Sequence, residues 1–463
     1  MWPSAPAQSL ILCMTGFRPR LSLFENRPAV GPRAILPGSC GRASVITMKK
    51  HDGIALGAAF IAALFSTSAL AGDPPTSGPA ANGSPAWHFQ PGSPDPVGRT
   101  LVDDKGQVTV LPRQPGVPGP VGGNLPGCAK STICTRKGGP SRQLTPRVVW
   151  DQMSGYAMSF PLRLPPAQSG TPGGAPGAAV DSKGNVWVLQ RRPQGQPQLF
   201  KFDRRGQVVV TVPADEIGYQ EKAHGIAVDP QDNVWITDTN GGTVQQVSPE
   251  GKLLKTIGIK DQRGDWDEAK GQRLLWQPVS VAFAANGDMY IGEGHANESP
   301  NDVDSVDPTN VIGAARVKHF DKDGKFLGQW FGDDNGPGKF GETHGLAVDP
   351  RTGDVWVGDR EQYRIIIFNS DGKFLRTIQM RNLVCSIAFD SKGEPWVSTG
   401  QDGQIARIDR SGKVLGALGG GMGIEPGKFI EANYFAFDRA GAIYVGDTSI
   451  ARITKFTPGA GKP

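Results

Sequence analysis

What this sequence lacks narrows it before any motif is read. Behind the N-terminal stretch, none of its 463 residues belongs to an apolar run of about 18 residues or more, the length that spans a bilayer. A polytopic membrane protein is therefore excluded. Glycine and proline are abundant, at 63 and 39 residues, but the glycines follow no three-residue period, which excludes a collagen-like helix. Cysteines number only 5. What remains is a loop-rich, soluble, all-β chain.

The one long apolar stretch lies within residues 48–71, MKKHDGIALGAAFIAALFSTSALA. Lys49 and Lys50 form a basic start, Gly53 to Phe65 an apolar middle, and Ala69-Leu70-Ala71 a small-residue cleavage site, the pattern of a secretory signal peptide. It begins at Met48, so residues 1–47 read as a spurious extension in front of the true start. Export to the periplasm or the exterior is expected, with no membrane span left after cleavage. Seven of the 49 basic residues and two of the 44 acidic ones lie before that cut, leaving 42 of each. A neutral chain has no electrostatic footprint for a phosphate backbone, and nucleic acid is excluded as a partner. Cys128 and Cys134, in GCAKSTIC, are close enough to form a disulfide in an oxidising compartment. A metal site at this pair would need two more ligands, and none is close in sequence. Cys385, in the apolar run NLVCSIAFD, reads as a small core residue.

Residues 72–145 are rich in Pro, Gly and Ser and read as a mostly irregular arm, with short extended stretches such as Gln107 to Leu111. From residue 146 onward one unit repeats. An apolar run ends in Asp or a similar residue, two or three turn residues follow, and an aromatic sits inside the next strand: GAAVDSKGNVWVLQ, HGIAVDPQDNVWITD, VSVAFAANGDMYIGE, HGLAVDPRTGDVWVGD, CSIAFDSKGEPWVST and NYFAFDRAGAIYVGD. The aromatics are Trp187, Trp235, Tyr290, Trp356, Trp396 and Tyr444, placed as blade core rather than as a ligand cage. Third and fourth strands follow around an Asp-x-x-Gly type of turn. Four short strands per period, repeated six times, predict a six-bladed β-propeller over 146–463. The sixth unit ends after its third strand, so the strand before the first unit, around Val148 to Phe160, is expected to close the ring.

The Gly-Asn-Val-Trp-Val/Ile-x-Asp pattern resembles the NHL repeat and lacks the Gly-His and Trp-Asp signatures of WD repeats. Within NHL propellers, HGIAVDPQDNVWITD, QPVSVAFAANGDMYIGEG and above all HGLAVDPRTGDVWVGDREQYRIIIF resemble the peptidyl-α-hydroxyglycine α-amidating lyase family. The resemblance implies an axial site in which three histidines, opening alternate inner strands, bind zinc while arginines and a tyrosine serve substrate and base. His224 and His344 fall on two of the zinc positions, and Arg191 and Arg360 on the arginines. Calcium in that family is held by two backbone carbonyls, here those of Ala178 and Ile226, and by an aspartate. Three positions depart from the pattern. Asn433 stands where the third zinc histidine should be, Tyr434 where the calcium aspartate should be, and His295 where the tyrosine should be, ahead of an extra loop, Glu298 to Ala314.

Asn is a poor zinc ligand, so His295 or Glu431 is the candidate to complete a displaced site. His295 also suits a general base near neutral pH. Arg191 and Arg360 suit a carboxylate, so a small molecule or a peptide C-terminus is the expected ligand at the axial mouth. The arginines could instead be repeat-typical ion pairs with Asp359 or Glu361. The acidic insert (Glu298, Asp302, Asp304, Asp307) lacks EF-hand order and reads as a solvated loop. Two functions stay open: a metal-assisted carbon–nitrogen lyase on hydroxyglycine-type substrates, and a non-catalytic binding or scaffold propeller with a decayed metal site and a protein partner. A calcium lactonase of the gluconolactonase type ranks third, because its Glu, Asn and Asp ligand pattern is not evident here.

Overall fold

The computed structural model describes residues 77–78, 85–90, 100–110, 147–168, 173–220, 222–295, 315–333 and 338–459. The signal-like segment, Cys128 and Cys134, and the loop from Glu298 to Ala314 lie outside the described residues. The chain divides into Met1–Ala69 and Leu70–Pro463, and everything described belongs to the second unit.

The turns explain why the repeated sequence folds into hairpins. At Asp181, Asp203, Asp321, Asp390, Asp409 and Asp438 one carboxylate oxygen accepts the backbone N–H groups two and four residues further on. A side chain that satisfies two turn donors fixes the reversal locally. In Asp203-Arg-Arg-Gly206 the glycine sits at φ +79°, which side chains resist.

Among the described residues six antiparallel sheets have four strands each. Sheet 1 opens with Gly177–Val180, sheet 2 with Ala223–Val228, sheet 3 with Pro278–Phe283, sheet 4 with Thr343–Val348, sheet 5 with Ser386–Phe389 and sheet 6 with Ala432–Phe437. These opening strands lie side by side in chain order, and that of sheet 6 lies against that of sheet 1. The molecule is a β-propeller. Sheet 6 takes its fourth strand from Tyr156–Ser159, which pairs antiparallel with Thr454–Pro458. The Trp and Tyr markers are buried between neighbouring sheets. Trp356 of sheet 4 meets Val397 and Ile408 of sheet 5, and Trp187 of sheet 1 meets Val234 and Val247 of sheet 2. Burying each such side chain stabilises by about 3 kcal/mol.

The arm is less irregular than its composition predicts. Thr100–Val102 and Val108–Val110 form a hairpin whose turn is that of the repeat, with Asp103 accepting from the N–H groups of Lys105 and Gln107. Trp87–Gln90 pairs with Arg147–Trp150. Side chains of sheet 5 hold this second strand. Asp402 accepts from Val148 N at 3.1 Å, and Gln404 both accepts from Trp150 N and donates to its carbonyl at 2.7 Å. The strand Val108–Val110 lies in the extended stretch read at Gln107 to Leu111, whereas compositional bias hid the others, which backbone pairing rather than apolar density makes. Among the described residues no helix is long and apolar enough to cross a membrane.

Candidate metal centre

Chain direction collects the chemistry at one end of the ring. Each opening strand runs away from that end and the second strand returns to it. Residues that begin the first strand therefore meet residues that follow the second. His224 and His344 are second residues of their strands, while Arg191, His295 and Arg360 follow the second strands of sheets 1, 3 and 4.

His224, His295 and His344 converge, each offering a ring nitrogen within 4.8 Å of the others, and all three are buried. Ring centroids are 4.6 Å apart for His224 and His295, 4.7 Å for His224 and His344, and 5.3 Å for His295 and His344. Burial, then the neighbouring His295, His344, Arg191 and Lys222, holds His224 well below the usual histidine pKa. It is therefore a neutral imidazole, the form that ligates metals. Its Nδ1 has no hydrogen-bond partner among the described residues. His344 Nδ1 lies 2.6 Å from the carbonyl of Cys385. A carbonyl only accepts, so Nδ1 carries the proton and Nε2 keeps its lone pair, the second-layer arrangement typical of metal histidines. His295 Nδ1 lies 3.9 Å from Glu342 Oε1.

Behind the histidines sits a buried ionic network. Arg360 is fully buried, with Nε on Cys385 Sγ at 3.0 Å, Nη2 on Glu431 Oε1 at 2.5 Å and Nη1 3.6 Å from Glu342 Oε1. Its carboxylate partners among these are Glu342 and Glu431; Asp359 instead accepts from Arg364 at 2.8 Å, and the side chain of Glu361 lies outside the described residues. Burial pushes the Cys385 thiol upward, so it stays protonated. Arg191 stands apart from this network. Its Nε donates to Ala223 O at 3.0 Å and its Nη1 to Thr448 O at 3.5 Å, while Nη2 has no partner among the described residues.

Tyr434 occupies the axis. Its ring stacks on His344 at 5.9 Å and stands edge-on to His224 at 5.5 Å. The phenol is 2.7 Å from Val279 O and 2.9 Å from His344 O, sharing one proton between two carbonyls. A Cβ on Gly177 would lie 2.7 Å from Tyr434 Cβ and 2.8 Å from Ile226 Cγ2. The side chain fills the space beside the strands of Ala178 and Ile226 and brings no carboxylate. Calcium wants several oxygen ligands including carboxylates, and this donor set does not fit it.

The NHL repeat profile matches residues 222–247, the stretch that opens with His224. The chain carries an NHL repeat. It is 25% identical over 326 residues to the peptidyl-glycine alpha-amidating monooxygenase of Mus musculus, covering 62% of this chain and 30% of that protein. This chain therefore spans under a third of that relative's length. It is also 25% identical over 150 residues to a probable peptidyl-alpha-hydroxyglycine alpha-amidating lyase of Caenorhabditis elegans, covering 32% of this chain and 37% of that one. Among solved structures a streptogramin B lyase aligns with a TM-score of 0.44 at 13% identity, covering 65% of this chain and 97% of that one.

Of the residues expected at the site, the structure joins His224, His295 and His344, sets Arg191 beside His224 through Ala223, and places Arg360 behind the histidines. Asn433 is fully buried but hydrogen-bonded to nothing among the described residues. Two contributors went unread: Glu342, two residues before His344 in GETHG, and the Cys385 carbonyl. A carboxylate so close to a candidate ligand was the available signal for the first. Nothing local signals a backbone carbonyl 41 residues away.

Proposed function

We propose that this protein is an exported, metal-assisted carbon–nitrogen lyase acting on molecules of the N-acyl-α-hydroxyglycine type, with zinc held by His224, His295 and His344. The observation that carries the reading is the convergence of three buried histidines, two with a ring nitrogen left for a ligand, a donor set that suits zinc with an open position. Bound there, zinc would polarise the hydroxyl oxygen of the substrate and lower its pKa. Arg191, with Nη2 unpartnered, holds the carboxylate. Glu342 sets a carboxylate 3.9 Å from His295 Nδ1, and the Cys385 carbonyl orients His344. In the reaction the hydroxyl loses its proton, the carbon–nitrogen bond breaks with its electron pair going to nitrogen, and a proton returns to that nitrogen. The products are an amide and glyoxylate, with no net acid or base consumed. The names of the amidating relatives support the same substrate class. Calcium is left out of this reading, because Tyr434 takes its place.

One observation favours the rival reading of a binding propeller without turnover. Arg360 is committed to two carboxylates and withdrawn from any ligand. The test is metal analysis of the chain from residue 72 onward, with glyoxylate release from α-hydroxybenzoylglycine measured on the same sample. About one zinc per chain, as a three-ligand site holds, together with glyoxylate release, supports the lyase. Zinc without glyoxylate selects the binding propeller. Neither zinc nor glyoxylate overturns the metal reading itself.

A further inference from the structure

Sheets 2, 4 and 6 share one irregularity of pairing. The register runs Ala223 with Asp238 and resumes at Ile226 with Ile236. It runs Thr343 with Asp359 and resumes at Leu346 with Val357. It runs Ala432 with Asp447 and resumes at Phe435 with Val445. The skipped pair is His224-Gly225 in the first, His344-Gly345 in the second and Asn433-Tyr434 in the third. Asn433 thus occupies the backbone slot from which His224 and His344 reach the centre. The three histidines come from the consecutive sheets 2, 3 and 4. Asn433 belongs to sheet 6, and Arg191 of sheet 1 stands between the two groups, donating to Ala223 O beside His224 and to Thr448 O of sheet 6.

Asn433 is fully buried, and neither its Oδ1 nor its Nδ2 has a hydrogen-bond partner among the described residues. Leaving a buried amide unsatisfied costs about 1–3 kcal/mol for each group, so such groups call for an explanation. An amide that must both accept and donate is matched by another amide. Arg191, held between Ala223 O and Thr448 O, keeps one guanidinium nitrogen without a partner among the described residues and matches a carboxylate.

We infer that Asn433 is the specificity residue of this site, its Oδ1 accepting from the N–H and its Nδ2 donating to the carbonyl of a secondary amide that adjoins the ligand's carboxylate. The ligand class is then an N-acylglycine skeleton. The inference rests on the proposed function only for where the ligand lies. An acid of the same shape with CH2 in place of N–H leaves Oδ1 unsatisfied and binds more weakly.

The experiment is titration calorimetry of the chain from residue 72 onward with benzoylglycine and with 3-benzoylpropanoate, in which CH2 replaces the N–H. Zinc content is measured on the same samples, and Asn433→Leu and Asn433→Ala are run beside the parent, with thermal unfolding of each to verify folding. The parent should prefer benzoylglycine by about tenfold, the worth of one hydrogen bond with an unpaired acceptor as the alternative. Either folded variant should lose that preference, and should bind both probes more weakly than the parent does, because the Nδ2 bond to their common carbonyl goes with the side chain. A parent that binds neither probe, or both equally, or a folded variant that keeps the preference, overturns the inference. Zinc bound with no preference sinks this inference alone. A preference that depends on Asn433 in a zinc-free chain keeps it and sinks the metal reading.

Discussion

The phenol of Tyr434 lies 2.9 Å from the carbonyl oxygen of His344, so a side chain of the last sheet is tied to the backbone of a candidate ligand in the fourth. Tyr434→Phe removes the proton that Val279 O and His344 O share. The loss should lower stability by about 1–2 kcal/mol, read as a shift in the urea midpoint. A calcium chelator should leave that midpoint where it was. A midpoint that falls on chelation would return calcium to the axis.

The histidine cluster predicts an unusual equivalence. His295→Ala should strip zinc from the protein as completely as His224→Ala or His344→Ala, whereas Asn433→Ala should leave the zinc in place. Metal analysis of the four purified variants reads the answer directly. Zinc that survives in His295→Ala would remove sheet 3 from the ligand set.

His224 also predicts how acid acts on the metal-free protein. Its pKa in the fold is lowered, by burial first, from an ordinary value of 6.5. The unfolded chain therefore binds the proton that the fold refuses. Its stabilising contribution is complete above about pH 6.5 and is lost as pH falls further, by up to about 1.4 kcal/mol per pH unit for one proton. Urea unfolding at about pH 7, 6 and 5 should show that slope, and His224→Gln should flatten it. An unchanged slope in the variant would assign the acid sensitivity elsewhere.

The shared sheet predicts where truncation becomes fatal. A chain beginning at residue 151 loses the strand Arg147–Trp150 but keeps Tyr156–Ser159. It should stay monomeric by size-exclusion chromatography. A chain beginning at residue 162 exposes the unpaired edge of Thr454–Pro458 and should aggregate, as open edges do. Equal behaviour of the two would mean that sheet 6 does not need its borrowed strand.

The repeat was legible because hairpin turns and buried aromatics are local: each Asp-x-x-Gly reversal and each Trp marker declares itself within a few residues. His224 and His344 were legible for the same reason, each opening an HG-Ile/Leu-Ala-Val-Asp strand. His295 could be read as a departure, but its place among the ligands follows from sheets 2, 3 and 4 standing in sequence around the axis. The partners of Arg360, the empty valences of Asn433 and the reach of Tyr434 to Val279, 155 residues away, are relations between sheets, which no local pattern encodes. The hairpin at Thr100–Val110 was missed for a different reason. Its turn repeats the motif of the blades, but glycine and proline around it masked the signal.

The borrowed strand also orders events in time. Tyr156–Ser159 is the first strand of its sheet to be synthesised and Thr454–Pro458 the last, so the earliest piece waits unmated until its partner has been made. The other five four-stranded sheets can each zip from neighbouring hairpins as they emerge, whereas this one must draw together two distant stretches against the full entropy of the intervening loop. Completion of the ring is then a single late latch.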